Sequence, residues 1–145
     1  MQAAFLRVKL PWLENWNRRR REVAARYAEG LCDSGLELPF VPDWAEPAWH
    51  LYVVRTEERN ALQAYLKAHE IETLIHYPTA PHLQVCYQGL ALKPQPQTEE
   101  MTRTILSLPI SPSMTEVQVG QVIDVTRDFF APDNSQILDR RVCQS

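Results

Sequence analysis

Eleven prolines divide this chain into short segments and constrain its fold more than any other residue type. A proline has no backbone N–H and its ring clashes with the preceding turn, so it starts, kinks or ends a helix and is rare inside one. Pro78, Pro81, Pro94 and Pro96 therefore predict a long loop over residues 78–97. Because long ordered loops in compact domains tend to carry function, this segment is a candidate for a site.

The N-terminal segment has apolar side chains at helical spacing. They are Leu6, Leu10, Leu13, Trp16, Val23, Ala24, Tyr27 and Leu31. Pro11 interrupts this pattern and predicts two helices or one kinked helix. The turn-forming residues Asp33, Ser34 and Gly35 predict where the helical segment ends.

Three short segments have the composition of strands, and they are residues 36–40, 49–55 and 73–77. The second reads Trp-His-Leu-Tyr-Val-Val-Arg, whose β-branched and aromatic side chains favour a pleated, half-buried surface. Leu62 and Leu66 lie four residues apart between the last two segments and predict a helix over 59–69. This part of the chain therefore predicts a strand, helix, strand unit.

Two more helices are predicted downstream. An apolar stripe predicts a helix over about residues 98–107, ended by Pro109, and the stripe consists of Met101, Ile105 and Leu108. Thr115 and Gln118 then have the spacing of a capping box, in which each side chain bonds the backbone N–H of the other. The apolar face that follows consists of Val119, Val122, Ile123 and Phe130.

Helices on one side of a small sheet would bury all of these stripes at once, so we expect an α+β fold. We predict a two-layer sandwich in which helices pack on one side of a mixed or antiparallel sheet of about three strands. The chain has 145 residues, 45% of them hydrophobic, which is enough to bury one core. We expect that domain over residues 1–130. Residues 131–145 show no periodicity and predict an irregular tail.

The charge balance argues against nucleic acid as a partner, because the formal net charge is −3 and the charges are spread along the chain. No apolar run approaches the roughly 20 residues of a membrane-spanning helix, and the N-terminus lacks a secretion signal pattern. We therefore expect a soluble, cytoplasmic protein with no membrane partner. Cys32, Cys86 and Cys143 lie far apart without the spacing of a zinc or redox motif, which favours structural or incidental thiols.

The sharpest cluster of polar side chains lies at the start of the predicted loop, in the segment His76-Tyr77-Pro78-x-x-Pro81-His82. Prolines reduce the entropy that a loop loses on ordering, so these side chains could be preorganised towards a ligand. Histidine donates or accepts near neutral pH and tyrosine has a hydroxyl on an apolar ring, which suits hydroxyl-rich or phosphorylated ligands. The simpler interpretation is that His76 and Tyr77 are hydrogen-bonded packing residues at a strand end.

Other kinds of site find less support in the sequence. The histidines have no acidic residue at a ligand-like spacing, so no metal site is expected. The run Arg18–Arg21 would point around a helix instead of lining one face, which predicts a solvated helix surface. With four glycines and no Gly-x-Ser-x-Gly motif, we expect neither a phosphate-binding loop nor a serine nucleophile.

Several motifs occur here in the order typical of one enzyme family. They are Gln2-Ala3-Ala4-Phe5-Leu6, Trp16-Asn17-x-Arg19-Arg20, Trp49-His50-Leu51-Tyr52-Val53-Val54-Arg55, His76-Tyr77-Pro78-x-x-Pro81-His82 and Leu106-Ser107-Leu108-Pro109-Ile110. Together they extend over most of the chain and resemble the C-terminal, small domain of the DegT/DnrJ/EryC1/StrS sugar aminotransferases.

The resemblance implies the small-domain fold of fold-type I pyridoxal phosphate (PLP) enzymes. Members of that family transfer an amino group, usually from glutamate, to a nucleotide-linked keto sugar, and they act as dimers. Their chemistry needs a Schiff-base lysine, a carboxylate at the pyridine nitrogen and a phosphate-binding cup, which in the family precede the Gln-Ala-Ala motif. Here that motif follows Met1 directly, and Lys9, Lys67 and Lys93 do not match the context of the catalytic lysine. We therefore expect no cofactor in this chain and no transamination by this chain alone.

What the resemblance carries over is substrate binding, because the family's His-Tyr-Pro loop borders the sugar pocket. It assigns that role to His76 and Tyr77, together with His82, and it assigns no catalytic, cofactor-binding or metal-binding residue. Three interpretations stay open, namely a truncated or split aminotransferase, a stand-alone binding module, and a complete enzyme of other chemistry that reuses the loop. As partners we expect a second copy of the chain or a separate PLP-binding domain, with a nucleotide sugar as ligand.

Overall fold

The computed structural model describes residues 2–87, 89–90 and 92–131. In chain order its helices and strands are α1 Gln2–Lys9, α2 Leu13–Leu31, β1 Tyr52–Arg55, α3 Arg59–Ala68, α4 Pro96–Thr104, β2 Ile105–Leu108 and α5 Glu116–Phe130. Short 3₁₀ turns are Leu10–Trp12, Pro81–Leu83 and Val85–Tyr87. The tail predicted over 131–145 lies outside the described residues beyond Ala131. In the described ranges, no helix is both long enough and apolar enough to span a membrane.

The predicted break in the N-terminal helical segment is confirmed. A 3₁₀ turn over Leu10–Trp12, with Pro11 near its start, separates α1 from α2. The apolar stripe is buried only in its second half, since α2 buries Val23, Ala24, Tyr27 and Leu31 whereas α1 buries no residue. The first helix therefore contributes little to the core.

The sheet consists of β1 and β2, which pair antiparallel with Tyr52 opposite Leu108 and Val54 opposite Leu106. The α+β fold class is confirmed, but the described part of the sheet has two strands instead of about three. The predicted strands 36–40 and 73–77 each contribute a single bridge, Glu37 to Arg55 and Leu74 to Ser107.

A proline explains why the segment over residues 36–40 does not extend into a full strand. In an antiparallel ladder, residues two apart on one strand bond the same neighbour. Glu37 bonds Arg55, and the next position on that side is Pro39, which has no N–H to donate.

The prediction of one helix over 98–107 is wrong at its C-terminal end. Helix α4 ends at Thr104, and Ile105–Leu108 forms strand β2. In a continued helix, Leu106 would lie away from the apolar stripe. In strand β2, Leu106 is fully buried and Leu108 is 2% exposed. Met101, which the prediction placed in the buried stripe, is 49% exposed. Pairing with a distant strand therefore decides the local structure here, which a periodicity in the sequence does not reveal.

One hydrophobic cluster joins the sheet to three helices. Because alternate residues of a strand face the same side, Tyr52 and Val54 share a face with Leu106 and Leu108. That face belongs to the same cluster as buried residues of α2, α3 and α5, namely Val23, Ala24, Tyr27, Leu31, Leu62, Leu66, Val119, Val122, Ile123 and Phe129. The capping box that begins α5 is confirmed, since the Gln118 N–H donates to Thr115 Oγ1 at 3.2 Å and the Thr115 N–H donates to Gln118 Oε1 at 2.9 Å.

Candidate functional site

The His76 imidazole lies against β2 at the point where the predicted loop begins. Its Nδ1 is 2.9 Å from Oγ of Ser107. The backbone of Ser107 accepts from and donates to Leu74 at 3.3 and 2.8 Å, which fixes the chain two residues before His76. His76 is therefore held both through its side chain and through the backbone that leads to it.

Tyr77 lies beside His76 and projects into solvent. Its side chain is 71% exposed, and its ring meets the His76 ring edge-on with centroids 5.8 Å apart. The peptide bond between the two residues is cis. The pair thus presents a phenol and an imidazole together, one exposed and the other partly buried.

The rest of the loop forms an open depression next to Tyr77. Two 3₁₀ turns, Pro81–Leu83 and Val85–Tyr87, follow the buried Ala80. The depression has a volume of about 360 Å³ and is lined by Tyr77, Pro78, Thr79, Leu83, Gln84 and Val85. Its wall combines an aromatic ring and aliphatic side chains with a few polar groups, a composition that suits a sugar or a base.

His82 is anchored on helix α4. Its Nε2 lies 2.9 Å from Oε1 of Glu99, and the backbone N–H of Gln95 donates to the same oxygen at 3.0 Å. The hydrogen bond with His82, and next the one from Gln95, lower the pKa of Glu99 below its ordinary value. The carboxylate therefore ties the loop to the first turn of α4.

Of the three residues that the sequence singled out, Tyr77 lines the depression. The ring of His76, its neighbour in the sequence, meets the Tyr77 ring edge-on, whereas the described hydrogen-bond partner of His82 is Glu99. His76 is hydrogen-bonded to Ser107, as a packing residue at a strand end would be, whereas Tyr77 is 71% exposed. What sequence reasoning missed is Ser107, whose one available signal was a polar residue within the apolar run Ile-Leu-Ser-Leu.

The arginine run is used in structural contacts instead of forming one phosphate-binding patch. Arg19 pairs with Glu22 and with Glu116 of α5, and Arg21 pairs with Glu14 and Glu46. Arg18 and Arg20 donate to the side chains of Asn15 and Asn17, and these donors are directed around α2 as the sequence predicted.

The lysines do not fit the PLP cofactor that the resemblance implies. A Schiff-base lysine is activated by desolvation in a pocket or by a neighbouring cation, and it works beside a group that holds the pyridine nitrogen. Lys9, Lys67 and Lys93 are all exposed. Lys67 borders an open depression of about 470 Å³ beside α3, with Asn60 and Thr73 among its other lining residues. None of the three lysines is therefore placed as a Schiff-base lysine would be. The described residues contain no group of three or more His, Cys, Asp or Glu placed to bind a metal ion.

Comparison with known proteins connects this geometry to a family. Residues 1–127 match the DegT/DnrJ/EryC1/StrS aminotransferase family. The chain is 42% identical over 129 residues to a dTDP-3-amino-3,6-dideoxy-alpha-D-galactopyranose transaminase of Aneurinibacillus thermoaerophilus, and 44% identical over 133 residues to a dTDP-3-amino-3,4,6-trideoxy-alpha-D-glucose transaminase of Streptomyces venezuelae. These matches cover 89% of this chain but only 36% and 35% of the relatives.

Solved structures agree with the sequence matches. The fold superposes with a TM-score of 0.87 on S. venezuelae DesV in complex with a ketimine intermediate, at 42% identity, over 90% of this chain and 36% of that one. An aminotransferase from Brucella abortus gives a TM-score of 0.84 at 36% identity, over 90% of this chain and 35% of that one. The chain therefore spans about a third of the length of the proteins that it matches. Within that third, sequence and fold together show that this chain belongs to the DegT/DnrJ/EryC1/StrS aminotransferase family.

Proposed function

We propose that this chain is the C-terminal, substrate-facing domain of a nucleotide-sugar aminotransferase, formed by residues 1–130, and that it does not catalyse transamination by itself. Two observations together support the proposal. The chain is more than 40% identical to two dTDP-sugar transaminases, and its exposed lysines do not fit the cofactor that such chemistry needs. PLP, when bound elsewhere in such an enzyme, supplies the electron sink for amino-group transfer.

The role that we assign to this chain is binding and orientation of the substrate. The Tyr77 ring, flanked by Leu83 and Val85, offers an apolar face for a sugar or a base, and its hydroxyl is free to meet a sugar hydroxyl or a phosphate oxygen. His76 adds a second polar group beside the Tyr77 ring. His82 belongs to this site through the loop that it anchors with Glu99.

A titration tests the binding role. The purified chain is titrated with dTDP-glucose by calorimetry, alongside the variants His76→Ala, Tyr77→Ala and Val117→Ala. We expect weak saturable binding that both loop variants reduce about tenfold, the scale of one to two lost polar contacts. Val117 is exposed on α5, so its variant is a matched surface control that should bind like the wild type. An absence of saturable binding by the wild type would refute the binding role.

A cofactor experiment tests the absence of catalysis. The chain is incubated with PLP, its absorbance is followed for an imine band, and the sample is reduced with borohydride and digested for mass spectrometry. We expect only slow labelling spread over Lys9, Lys67 and Lys93, as for exposed lysines in general. A stoichiometric adduct at one lysine, with amino transfer from glutamate, would show that the chain is itself an enzyme.

A second role is favoured by the surface of the N-terminal segment. Six large apolar side chains of α1, the turn and the start of α2 are exposed, and they are Phe5, Leu6, Val8, Leu10, Trp12 and Leu13. A concentration of large exposed apolar side chains of this kind can mark an interaction site. We propose that it docks on a PLP-binding domain, since the relatives are about three times as long as this chain.

Sedimentation velocity distinguishes docking on such a domain from self-association of the chain. A chain that dimerises through this surface would lose the dimer in Leu6→Asp and keep it in Val117→Asp.

A further inference from the structure

The Ser107 hydroxyl and the His76 imidazole form a hydrogen bond whose direction the surroundings decide. Ser107 is 5% exposed, and its Oγ lies 2.9 Å from Nδ1 of His76. No other side-chain or backbone group among the described residues forms a hydrogen bond with that hydroxyl. Nε2 of His76 has no partner among them either. The two ring nitrogens therefore differ, because one faces a buried hydroxyl and the other is left for a ligand.

The number of protons in this pair selects one arrangement. A serine hydroxyl has one proton, and a neutral imidazole has one N–H. If Nδ1 carried the ring proton and donated it to Oγ, the hydroxyl proton would be buried with no acceptor. A buried donor without an acceptor costs free energy, and native proteins avoid it. If the hydroxyl donates to Nδ1, both groups are satisfied and the ring proton resides on Nε2.

We propose that Ser107 is a positioning residue that fixes neutral His76 as the tautomer with its proton on Nε2. The imidazole then offers a hydrogen-bond donor at Nε2, beside the Tyr77 ring that lines the depression, and accepts nothing through that nitrogen. The group that it selects in a ligand is an oxygen acceptor, such as a diphosphate oxygen or a sugar carbonyl. This deepens the proposed function and rests on it, because it specifies how the same loop recognises a nucleotide sugar.

The same arrangement excludes a different role for His76. A nitrogen that already carries a proton cannot take another, so Nε2 of the neutral ring does not act as a base. The backbone of Ser107 supports the arrangement, because its paired bonds with Leu74 hold β2 and the chain before His76 in one register. Ser107 thus positions His76 twice, through the strand and through its hydroxyl.

Nitrogen NMR of the imidazole rings in the full chain tests the tautomer without any ligand. The four histidines are labelled with ¹⁵N, and the His76 signals are identified by their loss in His76→Gln. We expect the wild type above pH 7.5 to show a protonated Nε2 and an unprotonated, hydrogen-bonded Nδ1. A dominant Nδ1–H tautomer, or the mixture found in free histidine, would overturn the proposal.

Substitutions separate positioning from general stability. In Ser107→Ala we expect the single tautomer to be replaced by a mixture, and in Ser107→Thr, which keeps a hydroxyl, we expect it to be retained. The matched control is Ser34→Ala, because Ser34 is equally buried at 6% exposure and its hydroxyl donates to the Leu31 carbonyl, far from His76 in the chain. Its His76 signals should match those of the wild type. An unchanged tautomer in a folded Ser107→Ala would contradict the role given to Ser107.

The ligand measurement is kept separate, so that the two proposals can fail independently. With dTDP as the probe, Ser107→Ala should weaken binding roughly three- to tenfold, the scale of one hydrogen bond. If wild type binds no dTDP while its tautomer is as expected, the proposed function fails and the positioning stands. If wild type binds and Ser107→Ala binds equally well, the positioning has no role in recognition and that part of the proposal is wrong.

Discussion

Nε2 of His82 lies 2.9 Å from Oε1 of Glu99, and this one contact fastens the middle of the candidate loop to helix α4. The loop otherwise has few buried residues, since Ala80 is buried whereas Leu83 and Val85 are exposed. A loop with few buried residues should open more often when one of its anchoring hydrogen bonds is removed.

Removal of the Glu99 carboxylate should therefore loosen the loop without unfolding the domain. In Glu99→Ala we expect amide hydrogen exchange in residues 81–87 to accelerate several-fold, while exchange in α3 and α5 stays as it was. Glu57→Ala is the control, because Glu57 is exposed and makes no described ion pair. Equal exchange in all three proteins would mean that the loop is held by other contacts.

Glu116 should make the stability of the domain sensitive to acid. Hydrogen bonding to Arg19, and then the charges of Arg19 and Arg26, lower the pKa of this carboxyl below its ordinary 4.5. A group with a depressed folded pKa stabilises the folded state above its unfolded pKa, and this stabilisation is lost as the pH falls through the folded value. The wild type should thus lose melting temperature below about pH 4.5 more steeply than Glu116→Gln. Glu72→Gln, at an exposed glutamate without a described ion pair, should follow the wild type.

Gly30 lies where α2 packs against Ile123 of α5. A Cβ at this position would lie 2.8 Å from side-chain atoms of Ile123, one of them Cγ2, so Gly30→Ala should destabilise the domain by about 1–3 kcal/mol through overpacking. That exceeds the roughly 1 kcal/mol gained from the better helix propensity of alanine. Gly120 in α5 has no atom within 4 Å of such a Cβ, and Gly120→Ala should stabilise by about 0.5–1 kcal/mol. Chemical denaturation of both variants measures the contrast, and effects of the same sign would contradict it.

Two buried tyrosines in contact should respond in different ways to the loss of their hydroxyls. The rings of Tyr27 and Tyr52 lie 5.1 Å apart, and burial raises the pKa of Tyr52 to about 12. Tyr27 donates to the Pro109 carbonyl at 2.8 Å, whereas the Tyr52 hydroxyl is buried without a described partner. Tyr27→Phe should cost about 1 kcal/mol and orphan a carbonyl, and Tyr52→Phe should be neutral within about 0.5 kcal/mol or stabilising. A larger loss of stability in Tyr52→Phe than in Tyr27→Phe would contradict this expectation.

Local signals in the sequence predicted the helices well. Thr115 and Gln118 gave the start of α5, and Pro11 gave the break between α1 and α2, because caps and prolines act within one turn. Strand β2 was missed since its structure depends on pairing with β1, some fifty residues earlier. Four residues are too few to show the apolar periodicity that would indicate such a strand.

The candidate loop stood out in the sequence, whereas the residues that hold it in place did not. The segment from His76 to His82 stood out by composition, and in the structure the rings of His76 and Tyr77 meet edge-on. Ser107 and Glu99, which hold the two histidines, lie 31 and 17 residues away in the chain. Only the folded chain brings these partners together. A helix was expected over Ser107 because the pairing of β2 with β1 is not visible in the local sequence.

The most direct test of the account is to map where a nucleotide sugar binds on this chain. Backbone amide NMR signals are followed while dTDP-glucose is added to the full chain. We expect saturable shifts concentrated in residues 76–87 and at Ser107. The signals of residues that line the depression beside α3, at Lys67, should stay unchanged. Saturable shifts centred on Lys67 and Thr73, or no saturable shifts at all, would contradict the claim that the His76 and Tyr77 loop faces the substrate.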